Sequence, residues 1–224
     1  MNSHGDEIRR PAPYSISLNL EDVPCLVVGG GTVALRKIES LIASGARVEV
    51  VSPEVVPEIE ALEEVEITLR GFRAGDLEGK FLVVSATNDR SVNEAVARAA
   101  MRRSMLVNVV DVPELCNFFV NSQVRRGDLT ISVSTGGASP ALSKRIRKEL
   151  ELQYGEEYGG LLRLMREYRS LIMREVSDPA RRKRIFERLA GARIEKVLRE
   201  GGEAAARKAV EEMINQGAYE PEGT

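Results

Sequence analysis

Histidine is almost missing from this 224-residue chain, with His4 the only one. That scarcity argues against the usual imidazole-based metal site, so any metal chemistry must rely on carboxylates or on a substrate's own nitrogens. Cysteine is nearly as scarce: Cys25 and Cys116 are the only two, too few for a disulfide framework. Each falls in or beside an apolar run, which reads as buried thiols rather than a redox pair. Excess charge is missing too. A net charge of −2 gives no global reason to expect nucleic acid or an anionic membrane as partner, although local basic clusters can still hold a small anion. No apolar run approaches membrane-spanning length, and the first residues, MNSHGDEIRRP, are polar and unlike a signal peptide; a cytoplasmic location is expected. With an ordinary 43% apolar content, the chain is long enough to bury a core as one large or two small domains.

Against these absences stands Val27 to Lys37, VVGGGTVALRK, which follows an apolar run and opens a helical pattern. Gly29, Gly31 and Ala34 have the spacing G-x-G-x-x-A of a dinucleotide-binding βαβ unit. The first glycine permits a tight turn, the second lets backbone approach a pyrophosphate, and the small Ala34 allows close helix packing. The pyrophosphate would rest on N–H groups at the positive end of the helix, without lysine or metal. Ala34, Ile38, Leu41 and Ile42 carry the helical period, Gly45 supplies a stop, and Arg47–Val51 reads as a second strand. A ribose-binding acid is expected about 20 residues past the glycines. The chain has Ser52, Pro53 and Glu54 there. Ser52 can bond a ribose hydroxyl without repelling a 2′-phosphate, so NAD and NADP both stay open, with Glu54 favouring NAD.

Strand-like runs recur at Cys25–Val28, Arg47–Val51, Val65–Leu69, Phe81–Ser85 and Met105–Val109, with helical patterns between several of them. This alternation predicts an α/β domain with a Rossmann-like parallel sheet, over residues 1–113. Ser91 and Glu94 form a capping-box pattern ahead of Val92, Ala95, Val96, Ala99 and Ala100. From Leu115 the pattern changes to two β-rich runs, Cys116–Val120 and Leu129–Ser134, joined through Arg125–Asp128. A glycine-rich turn follows, then a helix with Ser139 as N-cap, Pro140 at its first position, and Leu142, Ile146 and Leu150 on one face. This small α+β segment, 114–153, cannot bury a core alone, so a second copy of the chain is expected against it as a homodimer. Residues 154–224 read as a helical domain. Leu161, Met165, Tyr168 and Ile172 share one face, Ile185 and Leu189 another, and a loose tail follows Gly217.

Ligands of a parallel α/β sheet bind beyond the carboxyl ends of its strands. Three segments should meet there: the glycine turn, Ser85–Asp89 (SATND) and Asn108–Asp111 (NVVD). The expected cofactor contacts are Gly29, Gly30, Gly31, Thr32, Val33, Ser52, Pro53, Glu54, Ala86, Thr87, Asn108 and Val109. Asp111 is the acid closest to the expected nicotinamide; as a plain alternative, it is a turn aspartate. Asn88 and Asp89 can serve the site or cap the next helix, and Asn108 can orient substrate or hold the loop. Ser132–Pro140 (SVSTGGASP) stands before a helix N-terminus as an anion cradle or simply a tight turn. The run Arg181, Arg182, Lys183, Arg184 is an ordinary solvated helix face unless the substrate is polyanionic.

Together, VVGGGTVALRK, SATND, NVVD and STGGASPALSKRIRKEL resemble the siroheme-synthase family, specifically its precorrin-2 dehydrogenase/sirohydrochlorin ferrochelatase module, from roughly Tyr14 to Leu189. The resemblance implies an NAD-binding Rossmann domain, a dimerisation segment and a helical domain. It implies NAD-dependent oxidation of the tetrapyrrole precorrin-2 to sirohydrochlorin, a precursor of siroheme and in some organisms of cobalamin. In some members ferrous iron is then inserted as a second substrate. It also implies that Asp111 is the catalytic proton acceptor and that Asn88, Ser134, Thr135 and Gly136 contact the substrate, whose many carboxylates give Arg36, Lys37 and the basic run a purpose. Where the family commonly has two serines this chain has Ser134–Thr135, so regulation by phosphorylation does not carry over. The fused methyltransferase domain of the large synthases does not fit in this length, and a stand-alone module is expected. The competing reading is a non-catalytic NAD-binding regulator that senses redox state; it predicts discrimination between NAD and NADH without turnover, and gives no role to Asp111 or the STGGASP turn. An alcohol dehydrogenase is disfavoured by the lack of a placed histidine or lysine.

Overall fold

A computed structural model describes residues 13–219; His4 and the tail beyond Tyr219 lie outside them. The described chain divides into two compact units, with the boundary between Val120 and Asn121.

In the first unit, β1 (Pro24–Val28), β2 (Arg47–Ser52), β3 (Val65–Leu69), β4 (Leu82–Ser85) and β5 (Leu106–Val109) form one sheet in the order β3-β2-β1-β4-β5, with every neighbouring pair parallel. This is the expected Rossmann-like sheet, with strand limits within a residue of those read from the apolar runs. Such a sheet is covered on both faces, so its central strands are apolar throughout rather than alternating. Cys25, Leu26, Val27 and Val28 are buried without a break. Helix α1 (Thr32–Ile42) buries Ala34, Ile38 and Leu41 on one side of the sheet. Helix α3 (Arg90–Met101) buries Val96, Ala97, Ala99 and Ala100 in the core on the other; the single turn α2 (Pro57–Glu60) lies between β2 and β3.

Helices α1 and α3 stop by the same device. Ala46 N–H reaches Leu41 O at 3.1 Å and Gly45 N–H reaches Ile42 O at 2.8 Å; Met105 and Ser104 repeat the pair on Ala100 and Met101. Gly45 (φ +81°) and Ser104 (φ +55°) occupy the left-handed position this closure needs. The start of α3 differs from the expected capping box. Asp89 is the N-cap, its Oδ1 accepting from Ser91 N–H at 2.8 Å and Val92 N–H at 3.3 Å, while Glu94 turns to Arg90 at 3.0 Å. A carboxylate one position before the helix reaches both free amides, leaving Ser91 no capping duty.

Cys116–Val120, expected as a strand, is not one, and it belongs to the first unit. Asn117 presents its amide group to the edge of β5: Oδ1 accepts from Val107 N–H and Nδ2 donates to Met105 O, both at 2.8 Å, while its own N–H donates to Val107 O at 3.0 Å. The side chain completes the edge as a sixth strand would, and the chain is then free to leave the sheet.

In the second unit, β6 (Ser122–Arg126) and β7 (Leu129–Val133) form an antiparallel hairpin. Gly127, first of its two loop residues, takes φ +56°, as a primed turn requires. Helix α4 (Pro140–Gln153) starts on Ser139, whose Oγ accepts from Leu142 N–H at 3.2 Å, with Pro140 in the first turn. Its expected apolar face is only partly covered among the described residues: Ser143 is its buried residue, Ile146 and Leu150 are half-buried, and Leu142 stays 38% exposed. Arg126 clasps the end of α4, donating to Tyr154 O at 3.0 Å and Glu151 O at 3.3 Å. Helices α5 (Glu157–Glu175), α6 (Pro179–Leu189) and α7 (Ala192–Tyr219, broken at Gly202) share a core of Leu161, Leu164, Tyr168, Ile172, Ile185, Leu189, Ile194 and Val210. No helix among the described residues is long and apolar enough to cross a membrane.

Asn117→Ala should lower stability by about 1–3 kcal/mol, because it strands two main-chain groups of β5. Urea denaturation of the purified protein checks this; an unchanged midpoint would mean that the Asn117 amide does not hold the sheet edge.

Candidate functional site

The strand order reverses direction at β1, and the crossovers on either side of it leave in opposite senses, which opens a crevice at the carboxyl ends of β1 and β4. Hydrogen bonds run up to its rim. Gly29 N–H donates to Val51 O at 3.0 Å and Ala86 N–H to Val28 O at 2.8 Å. A cleft of about 400 Å³ lies there, lined by three loops: Gly29–Val33 after β1, Ser52–Glu54 after β2, and Ala86–Asn88 after β4.

The glycines of the first loop have separate tasks. A Cβ on Gly29, at φ +123°, would lie 2.4 Å from Ala86 O, and one on Gly30 would lie 1.9 Å from Glu54 O. These two let the neighbouring loops close on the turn, and Val56 N–H seals the second approach by donating to Gly30 O at 2.8 Å. Gly31 is different: its φ is −87°, an ordinary value, and an added Cβ would meet nothing within 4 Å. Among the described residues no neighbour explains that glycine; its bare backbone leaves open space on the cleft side of the turn. Gly31 is also the N-cap of α1 without a side-chain cap bond. The first N–H groups of the helix therefore face the cleft with the positive end of the helix dipole behind them.

Ser52 is buried, and its hydroxyl donates to Glu54 O at 2.6 Å. Its proton is thus spent on the loop, leaving lone pairs to accept from a ribose hydroxyl. Among the described residues no lysine or arginine lines the cleft, and Glu54 is the acidic residue in its lining. The third loop is set from behind by Asn93 on α3, which sequence reasoning passed over. Asn93 accepts from Ser85 Oγ at 2.7 Å and donates to Thr87 O at 3.0 Å. Its signal was a polar residue in the buried stripe of Val96, Ala97 and Ala100. Thr87 Oγ1 accepts from Asp89 N–H at 2.9 Å, which leaves Asn88 on the rim.

Asn108 and Val109 do not line the cleft. Asn108 Nδ2 donates to Phe118 O at 3.1 Å, so this side chain holds the returning loop. Val109 is buried, and its N–H meets Cys116 Sγ at 3.1 Å. Asp111 lies just beyond, in the turn that Val112 N–H closes on Val109 O at 3.3 Å, and Val110 N–H ties this turn to Ser85 O at 2.9 Å. Asp111 is exposed and has φ +59° at the third turn position, where glycine or asparagine is favoured. Burial and then Arg36 depress the half-buried Lys37 ammonium of α1, while Asp111 and Cys116 act to raise it; the two charges thus share one neighbourhood. Burial pushes the Cys25 thiol up to about 11 and raises that of Cys116, so both are poor nucleophiles. Ser134, Thr135 and Gly136 belong to the second unit, in the turn between β7 and α4. There Thr135 Oγ1 accepts from Ser139 N–H at 3.1 Å and meets Ser143 Oγ at 3.2 Å. Among the described residues, no three His, Cys, Asp or Glu gather as a metal site.

Fold and cleft define a dinucleotide-binding α/β protein of the Rossmann class. An NAD(P)-binding family model matches residues 16–122, the sirohaem biosynthesis protein central model 126–153, and the sirohaem synthase dimerisation region 157–214. Siroheme synthases of Thioalkalivibrio sulfidiphilus and Methylococcus capsulatus are each 39% identical over 91% and 88% of this chain, and the aligned part is 42% of each relative. This chain therefore spans less than half the length of these curated relatives. A solved structure titled SirC, precorrin-2 dehydrogenase, superposes with a TM-score of 0.75 at 31% identity, covering 89% of this chain and 100% of that one. The chain belongs to the siroheme-synthase family.

The glycines make a paired test. Gly30→Ala should cost about 3 kcal/mol through overlap with Glu54 backbone, whereas Gly31→Ala should leave stability within about 0.5 kcal/mol. Only the second should then read as a clean binding defect, with dinucleotide Kd rising about tenfold, or about 1.4 kcal/mol. Thermal melts and calorimetric titration with NAD measure both; unchanged NAD affinity in Gly31→Ala would remove the phosphate from this turn.

Proposed function

We propose that this protein oxidises precorrin-2 to sirohydrochlorin with NAD, acting as a homodimer, and that Asp111 is its proton acceptor. The observation that carries the reading is Asp111 itself: a carboxylate held at φ +59°, at the carboxyl edge of the sheet, one strand from the dinucleotide cleft. An aspartate adopts that backbone position at some cost relative to glycine, and the turn leaves its carboxylate exposed at the sheet edge, where a ligand can reach it. The relatives supply the substrate, since the solved neighbour is titled a precorrin-2 dehydrogenase.

The chemistry follows from what each part offers. Bound NAD accepts a hydride at its nicotinamide. The tetrapyrrole must then lose one proton as well, and a carboxylate can take it directly. Lys37 of α1 lies close enough to Asp111 for their charges to interact, which sets a cation beside the acid at the sheet edge. Cys116, whose sulfur sits within 3.3 Å of Val109 O and Val112 O, fixes the turn that aims Asp111. Glu54 and the lack of a basic residue in the cleft favour NAD over NADP. The dimerisation region matched by α5 to α7, together with the partly uncovered face of α4, supports the homodimer.

With precorrin-2 and NAD, the protein should form sirohydrochlorin, followed by its absorption spectrum. NAD binding without turnover would overturn this reading in favour of a redox-sensing module. Asp111→Asn tolerates the same backbone and should retain NAD affinity while losing about 10²–10⁴ in kcat. Asp111→Gly should lose the same activity yet be as stable as the parent or more so. Full activity in either variant would remove Asp111 from the chemistry. Ferrous iron added afterwards reads out metal insertion: siroheme forming faster with protein than without assigns that step also, with iron as substrate.

A further inference from the structure

Most arginines of α5 and α7 are paired with carboxylates, and among the described residues those of α6 are not. On α5 and α7, Arg163, Arg166, Arg174, Arg199 and Arg207 each face a carboxylate. On α6 the basic residues outnumber the acids by far, and only Lys183 is paired, with Glu187 at 3.8 Å. Arg181 stands apart even there. It lies on the same helical stripe as the buried Ile185 and Leu189, spaced by four residues, so its side chain is directed along the core-facing side of α6 rather than into solvent. Its Nε and Nη2 are both buried and have no hydrogen-bond partner among the described residues. A buried cationic group without a partner is strongly unfavourable, because its lost hydration is not replaced. The residue as a whole is only partly buried, so Arg181 stands at the edge of the helical core rather than in its middle. One turn along, the Arg169 guanidinium of α5 sits 5.4 Å from the centre of the Phe186 ring, a second cation held without a carboxylate.

We propose that α6 carries a carboxylate-binding site centred on Arg181, with the adjacent Arg182 and the other basic residues of α6 adding positive charge, and that its ligand is a polycarboxylate, the acid side chains of the tetrapyrrole. The identity of that ligand rests on the function proposed above; the site does not. A guanidinium offers a planar fork of donors that matches a carboxylate in two parallel hydrogen bonds. The orphaned Nε and Nη2 are an adjacent pair of this kind. A ligand with several carboxylates, unlike a single chloride or acetate, gains from the additional unpaired cations around the fork.

The test uses the full chain, the Arg181→Met variant, and two probes: sirohydrochlorin and mellitate, a benzene ring bearing six carboxylates. Methionine keeps the apolar stem and removes the charge. The ligand-free variant should melt at the parent temperature or higher, its Kd for sirohydrochlorin should rise at least tenfold, and its NAD affinity should stay within twofold. Mellitate should raise the melting temperature of the parent but not of the variant. Parent protein that responds to mellitate through Arg181 but ignores sirohydrochlorin keeps the site and overturns the tetrapyrrole reading. Equal Kd values in parent and variant overturn the site. A lower melting temperature or a weakened dimer in Arg181→Met also overturns it, because Arg181 would then be satisfying a carboxylate of the protein itself.

Discussion

Everything in the first unit depends on how closely three backbones approach one another at the end of β1. With β1 in the middle of the order β3-β2-β1-β4-β5, the loops after β2 and β4 converge on the glycine turn from both sides. Gly29 admits the Ala86 carbonyl and Gly30 admits that of Glu54, each at a distance no side chain would allow. Closing these gaps fixes the cleft walls, and it leaves the start of α1 and its free amides as the floor. The cleft is thus a product of backbone packing, and its polarity comes from N–H groups rather than from charged side chains.

A second layer of polar groups, set one residue back from the rim, holds the walls in place. Ser52 bonds to its own loop, Asn93 ties Ser85 to Thr87, and Cys116 gathers the backbone under the Asp111 turn. None of these groups needs to touch a ligand to matter. They are buried or half-buried and mutually satisfied, which makes the loops they hold stiff. Asp111 then occupies its unfavourable backbone angle because the surrounding turn is over-determined.

The strands and the glycine turn were legible because their signals are local: unbroken apolar runs, glycine spacing and helix periodicity. The failures share a cause, which is that the deciding contacts are distant in sequence. Cys116–Val120 looks like a strand by composition, yet Asn117 spends its amide on β5, ten residues upstream. Asn108 looked available for a ligand, but Phe118 claims its side chain. Asp89 caps α3 where Asn88 and Ser91 were also candidates, because its carboxylate reaches both free amides of the first turn. The apolar face of α4 was read as a stripe, but only part of it is covered: Leu142 stays exposed while Ile146 and Leu150 are half-buried. Arg181 hid within a run of cations that composition treats as uniform; the helix phase places it on the stripe of Ile185 and Leu189, while Lys183 and Arg184 are exposed.

The side chain of Asn117 has one more consequence. A parallel sheet that ended in a bare strand would offer its outer row of amides and carbonyls to any extended peptide, including the same strand of another molecule unfolding nearby. On the β5 side, an incoming chain finds Val107 N–H, Val107 O and Met105 O already engaged. One amide thus works as a chain terminator for hydrogen-bonded growth. Copies of this protein that associate do not do so by lengthening this edge of the sheet.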